Sequence, residues 1–199
     1  MMEWIVGLPL WQMIRYLGIA SYVLLAAGIC LGIAYSFPVW KGVRKAQLYK
    51  LHTFCTIGGT ALGLLHGVIT VIDTYLPYSW TEVLVPFAAK QHPVLNGLGT
   101  LAGYGMLLVI LTSDLRNKIG KRVWKLVHFL SYPIFVIAFV HGYFLGTDTA
   151  LTGIRWMYLL SFAAVVLLTV LRVTTASRTD YMGTPRPHPA VRRGSGRLR

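Results

Sequence analysis

Of the 199 residues, 55% are hydrophobic and only 13% are charged, which leaves too little polar surface to cover a soluble domain and predicts an integral membrane protein. The net charge of +13 would be compatible with nucleic-acid binding if the basic residues formed one patch. They lie instead in alternate segments between apolar runs, where they act as topology signals. Nucleic acid is therefore excluded as the expected partner.

Five apolar segments have the length of about 20 residues that is needed to cross a hydrocarbon core of about 30 Å. They cover residues 15–37, 51–72, 95–113, 123–145 and 154–171. The predicted fold is an all-α membrane protein, a bundle of about five transmembrane helices within residues 15–172. Residues 1–14, with Trp4 and Trp11, are predicted to lie in the membrane interface. Residues 173–199, rich in arginine, proline and glycine, are predicted to be a disordered basic tail resting on lipid headgroups.

The distribution of lysine and arginine predicts the orientation in the cell membrane. Apart from the tail, most of them follow the first and third spans: Lys41, Arg44, Lys45, Lys50, Arg116, Lys118, Lys121, Arg122 and Lys125. The positive-inside rule places these segments and the C-terminus in the cytoplasm and the N-terminus outside. The segment 73–94 then lies outside and is long enough to cap whatever opens on that side.

Four of the six histidines lie inside predicted spans, His52 and His66 in the second and His128 and His141 in the fourth. An ionisable side chain inside a span is uncommon and usually functional. Both spans run from the cytoplasm outward, so His52 and His128 lie near their inner ends. His66 and His141 follow 14 and 13 residues later, which is about 20 Å further along a helix. The pattern predicts two facing pairs of histidines at two depths.

A neutral imidazole is a good axial ligand for heme iron, and a heme ligated on both faces needs one imidazole from each side. The two pairs therefore predict two hemes. Since the sequence has no C-x-x-C-H motif for covalent attachment, the hemes would be b-type. Two alternatives remain open: a transporter of metal ions or protons that uses the histidine pairs, and a heme-free membrane anchor for a partner enzyme. The spans have no acidic residues of the kind a cation path usually contains, so heme is favoured.

Glycines on the second span coincide with its histidines. At about 100° per residue, Gly59, Gly63 and His66 all fall within roughly 40° of the direction of His52. The expectation is that Gly59 and Gly63 leave a flat slot for a porphyrin. The alternative is a motif for close helix packing.

The fourth span presents a different geometry. Thirteen residues of regular helix would turn His128 and His141 about 140° apart. Pro133 lies between them and removes one backbone donor. We therefore expect a kink or local distortion near Pro133 that re-aims the outer histidine.

These histidine spacings resemble those of the ferric reductase and NADPH oxidase transmembrane family, and the resemblance covers most of residues 37–172. The chain resembles bacterial single-domain members in particular, among them the heme-bearing membrane subunit of methionine sulfoxide reductase systems. The supporting motifs are Trp124-Lys125-Leu126-Val127-His128 with Tyr132, His141-Gly142, Gly146-Thr147-Asp148, Leu51-His52-Thr53, Pro86-Phe87 and Thr112-Ser113 with Arg116.

The resemblance implies a diheme cytochrome b that passes electrons from the cytoplasmic side of the membrane to an acceptor on the outer face. Larger relatives have a flavin and nicotinamide domain that is lacking here, so the donor would be a separate flavoprotein or a membrane quinol. Within this scheme Arg155 would meet the outer heme propionates. Lys50 and Lys125 would either meet the inner propionates or serve only as topology signals and headgroup anchors. The family bundle usually has six helices, so its first helix would be lost or reduced in this chain.

Overall fold

The computed structural model describes residues 9–181, and all the regular structure in this part of the chain is helical. The helices are α1 (Leu10–Tyr35), α2 (Gly42–Ile72), α3 (Trp80–Leu84), α4 (Pro93–Asp114), α5 (Arg116–Ile119), α6 (Lys121–Phe129), α7 (Ser131–Leu145) and α8 (Thr152–Tyr181), with a short 3-10 helix at Thr147–Ala150. Five segments are long and apolar enough to cross a membrane, α6 and α7 together forming the fourth. The prediction of an all-α bundle with five spans is confirmed, and the protein is a multi-pass membrane protein.

Several helices extend beyond the predicted spans. The helix α1 begins at Leu10, so Trp11 lies on its first turn, where its ring meets that of Tyr75 with centroids 5.6 Å apart. The helix α2 begins at Gly42 and thus carries the basic residues that precede the apolar run. Hydropathy measures only the part that lies in lipid, whereas a helix continues for as long as its backbone hydrogen bonds do.

The two predicted terminal segments are described only in part. The interfacial prediction for residues 1–14 is described only from Pro9 onward, and residues 1–8 lie outside the described part. The helix α8 continues to Tyr181, beyond residue 173, where the tail was predicted to begin. Residues 182–199 lie outside the described part.

The bundle is organised around α1, which packs along the whole of α2 and also contacts α7 and α8, while α4 packs along α7. The core between α1, α7 and α8 is aromatic. Tyr22 is 4% exposed and stacks on Phe135 with ring centroids 5.5 Å apart, and it lies 4.3 Å from the ring of Tyr158. Large apolar side chains elsewhere face outward, among them Phe54, which is 69% exposed. An apolar outer surface is expected where lipid replaces water as the solvent.

The connection between α2 and α4 is fixed by hydrogen bonds. Ser79 and Glu82 form a capping box at the start of α3, and the Glu82 carboxylate also accepts a hydrogen bond from the backbone N–H of Lys90 at 3.0 Å. The donors from Ser79 and Lys90 lower the pKa of Glu82 to about 2. Thr100 and Tyr104 of α4 donate to backbone carbonyls of α3. The connection therefore lies against the N-terminal half of α4.

Candidate functional site

The four histidines of the spans meet in two pairs. The rings of His52 and His128, which we name the inner pair after the predicted orientation, have centroids 6.2 Å apart and planes inclined by 72°. The rings of His66 and His141, the outer pair, have centroids 6.4 Å apart and planes inclined by 80°. These are the two pairs that the positions of the histidines along the second and fourth spans predict. In each pair α2 supplies one histidine and the fourth span supplies the other.

An interruption between α6 and α7 makes this pairing possible. The helix α6 ends at Phe129 and α7 begins at Ser131. At the junction the Leu130 N–H bonds to the Val127 carbonyl, three residues back, at 3.0 Å, which is the pattern of a tighter 3-10 turn. Pro133 has no N–H to give to the Phe129 carbonyl four residues before it. The distortion expected near Pro133 is therefore present, and both histidines reach their partners on α2.

Three of the four imidazoles are held by a backbone carbonyl through Nδ1. The pairs are His52 with Gly28 (2.7 Å), His66 with Ile14 (2.8 Å) and His141 with Leu95 (2.8 Å). Because a carbonyl can only accept, Nδ1 must carry the proton of the neutral ring, which leaves the lone pair on Nε2 free. This is the tautomer and the supporting bond that histidine ligands of metals usually have.

Each of these three imidazoles also lies on a glycine four residues after the accepting carbonyl. A Cβ atom added there would lie 3.0 Å from the ring of His52 at Gly32, 3.3 Å from that of His66 at Gly18 and 2.6 Å from that of His141 at Gly99. We call Gly18, Gly32 and Gly99 the seat glycines. Without a side chain they let the imidazole reach the backbone carbonyl one turn away.

That the seat glycines support the histidines was not predicted from the sequence, although the sequence contains a signal for two of them. Gly18 and Gly32 are 14 residues apart on α1, the same spacing as His52 and His66 on α2. The two helices run antiparallel, so equal spacing brings each glycine to one histidine.

Gly59 and Gly63 have a different environment from the predicted porphyrin slot. A Cβ atom at Gly59 would lie 3.0 Å from Leu25, and one at Gly63 would lie 2.9 Å from the Ser21 hydroxyl. The same hydroxyl donates to the Gly59 carbonyl at 2.7 Å. These contacts are made with α1, and they correspond to the alternative interpretation of close helix packing.

Arg155, near the start of α8, is exposed and donates from Nε to the Thr149 carbonyl at 3.3 Å. It lines a cavity together with the aromatic side chains of Tyr143 and Phe144, which follow His141 on α7. The role predicted for Arg155 at a heme propionate stays a prediction.

Arg15 and Asp148 form a two-point ion pair close to the outer histidines. Arg15 donates from Nε to Oδ2 of Asp148 at 2.8 Å and from a second guanidinium nitrogen to Oδ1. Arg15 follows Ile14, whose carbonyl holds His66. The bond from Arg15 keeps the pKa of the Asp148 carboxyl, which is only 7% exposed, below its ordinary value. The pair ties α1 to the connection between α7 and α8 at the level of the outer pair.

Replacing Asp148 by asparagine should lower the thermal midpoint of the purified protein by at least about 2–4 °C, because Arg15 loses its charged partner. Since the folded-state pKa of Asp148 is depressed, the stabilisation is complete above the ordinary pKa of an aspartate and decays as the pH falls through the lowered value. The measurement is a melting curve against pH for wild type and Asp148→Asn. Asp114→Asn, at an exposed aspartate on the inner end of α4, is the control. An equal loss in both variants would show that the pair contributes nothing specific.

The structure thus defines an α-helical multi-pass membrane protein with two pairs of histidines between its spans. A family model described as "Ferric reductase like transmembrane component" matches residues 17–139, which is more than half of the chain and includes His52, His66 and His128. The chain belongs to this family of ferric reductase-like transmembrane proteins. Membership implies transmembrane electron transfer in general. Comparison with curated proteins and with solved structures gives no significant match.

Proposed function

We propose that this protein carries electrons across the membrane through two b-type hemes, one ligated by the inner pair and one by the outer pair. The observation that carries the proposal is the separation of the rings. Two imidazoles bound to opposite sides of one metal ion at about 2.0 Å have ring centroids about 6.3 Å apart. The centroid separations are 6.2 Å in the inner pair and 6.4 Å in the outer pair.

The donor set also fits a heme. Each pair offers two neutral imidazoles from opposite helices, and nowhere in residues 9–181 do three or more His, Cys, Asp or Glu side chains come together as a metal cluster. Two facing nitrogens are the axial set of a heme iron, whose four remaining positions belong to the porphyrin. A bound heme supplies an iron that changes between the ferric and ferrous states. The chain supplies the axial nitrogens, fixes their tautomer through Nδ1 at three of the four positions, and keeps both sites in an apolar bundle.

The direction and the partners form part of the proposal. The basic segments that contain Lys50 and Lys125 face the cytoplasm, where a flavoprotein donor could dock or a quinol could approach from the lipid. The acceptor is taken to lie on the outer face, beyond His66 and His141. Arg155, exposed on that face, is the candidate to meet the outer propionates.

The absorption spectrum of the purified protein tests the proposal. Protein made with ample heme should contain two hemes per chain and show a Soret band and a sharp reduced α band. Dithionite should reduce both hemes, and the reduced protein should be reoxidised by an outer-face acceptor such as ferric citrate. Colourless protein would overturn the proposal. Metal uptake by liposomes carrying the colourless protein would then support a transporter, and the absence of uptake would support a heme-free anchor.

A further inference from the structure

The backbone carbonyls that hold the histidines recur at a fixed spacing along α1 and α4. At one position of this pattern the carbonyl holds no histidine. On α1 the accepting carbonyls of Ile14 and Gly28 are 14 residues apart. On α4 the carbonyl that holds His141 belongs to Leu95, and 14 residues further lies Val109. The residue four after Val109, where a seat glycine would be expected, is Ser113.

Ser113 forms a hydrogen bond with the Val109 carbonyl, which the pattern would assign to the fourth histidine, His128. Its hydroxyl donates to the Val109 carbonyl at 2.7 Å. The same hydroxyl accepts a bond from the indole N–H of Trp124 at 3.3 Å, and the Trp124 ring stacks on His128 with centroids 5.2 Å apart and planes inclined by 28°. Ser113 is therefore linked to His128 through the side chain of Trp124.

His128 is the histidine whose Nδ1 has no hydrogen-bond partner. That nitrogen is buried, and it is the one buried side-chain nitrogen or oxygen in the described part of the chain without such a partner. The other three imidazoles all donate from Nδ1 to a carbonyl. The inner pair thus consists of one bonded and one unbonded imidazole, whereas both imidazoles of the outer pair are bonded.

We propose that Ser113 is a positioning residue that withholds the Val109 carbonyl from His128 and thereby raises the reduction potential of the inner heme. The inference rests on the proposed function. A bond from Nδ1–H to a carbonyl makes an imidazole a more basic ligand, and a more basic ligand favours ferric over ferrous iron. Without this bond, His128 stabilises the ferric state less, and the inner iron accepts an electron more readily.

The test is a redox titration of Ser113→Gly, which opens a fourth seat like the other three. The outer heme is removed by the double variant His66→Ala/His141→Ala, so that only the inner heme titrates. Adding Ser113→Gly should lower its midpoint potential; a tenfold gain in ferric preference corresponds to about 59 mV for one electron. Thr169→Ala removes a hydroxyl that donates to the carbonyl four residues before it on α8 at 2.7 Å, as the Ser113 hydroxyl does on α4. It is the matched control and should leave the potential unchanged.

Ser113→Ala supplies a second measurement, because it removes the hydroxyl and keeps the Cβ atom. Because a Cβ atom at a seat lies against the imidazole, Ser113→Ala should shift the potential of the inner heme less than Ser113→Gly does. In the full protein Ser113→Gly should lower one of the two titration waves and leave the other in place. Two hemes with unshifted potentials in both variants would overturn the inference while leaving the proposed function intact. Colourless wild-type protein would overturn the proposed function itself. A shift in Ser113→Gly no larger than that in Thr169→Ala would show that Ser113 has no particular role.

Discussion

Replacement of any one of the four paired histidines by alanine is expected to halve the low-spin heme signal. Each alanine removes one axial nitrogen from one heme, and the second heme, about 20 Å away along the helices, keeps both of its ligands. Heme content per chain and the amplitude of the reduced α band measure the loss. His92→Asn removes a histidine outside the pairs and should retain both hemes. Asparagine suits this position because His92 has a φ of 45°, a left-handed conformation that asparagine tolerates.

Double variants decide between the two possible pairings. If the ligands pair as the structure places them, His52→Ala/His128→Ala resembles either single variant and retains one heme. His52→Ala/His66→Ala then loses both hemes, because it removes one ligand from each. If instead the two histidines of one helix shared a heme, the outcomes of these doubles would be exchanged, and the assignment of inner and outer pairs would be wrong.

The spans and the histidine pairs could be predicted from the sequence because each depends on distance along one helix. A run of apolar residues gives its own length, and residues 14 and 13 apart give a depth directly. The distortion near Pro133 was also predictable, since a regular helix would turn His128 and His141 apart. The position of the interruption between α6 and α7, at Leu130, depends on local hydrogen bonds that the spacing of the histidines does not specify.

The supports of the histidines could not be predicted in the same way, because they depend on how two helices are placed against each other. The face of α2 that carries Gly59 is correctly grouped with His52 by its angle, but an angle does not say which neighbour covers that face. The structure places α1 there, and α1 brings Gly18 and Gly32 to the imidazoles. The interruption of this pattern at Ser113 becomes visible only when α4 is compared with α1.

Replacing Gly99 by alanine should abolish or strongly weaken the outer heme. The new Cβ atom would lie 2.6 Å from a ring carbon of His141 and 2.7 Å from Nδ1, so the imidazole must move away and its bond to the Leu95 carbonyl must lengthen or break. Loss of such a supporting contact typically costs 10–100-fold in metal affinity, as an order of magnitude. The measurement is the number of low-spin hemes per chain, with the remaining heme assigned to the inner pair by combination with His128→Ala.

Gly103→Ala is the matched control, because Gly103 lies one turn further along α4 and a Cβ atom there would meet nothing within 4 Å. Alanine is also the better helix former by roughly 0.5–1 kcal/mol, so both variants gain the same backbone stabilisation and differ only in the contact with His141. The effect at the other two seat glycines should follow the distance between the new Cβ atom and the imidazole. Gly32→Ala, at 3.0 Å from His52, should weaken binding of the inner heme moderately. Gly18→Ala, at 3.3 Å from His66, should weaken binding of the outer heme least. Retention of two unaltered low-spin hemes by Gly99→Ala would mean that His141 does not need its seat.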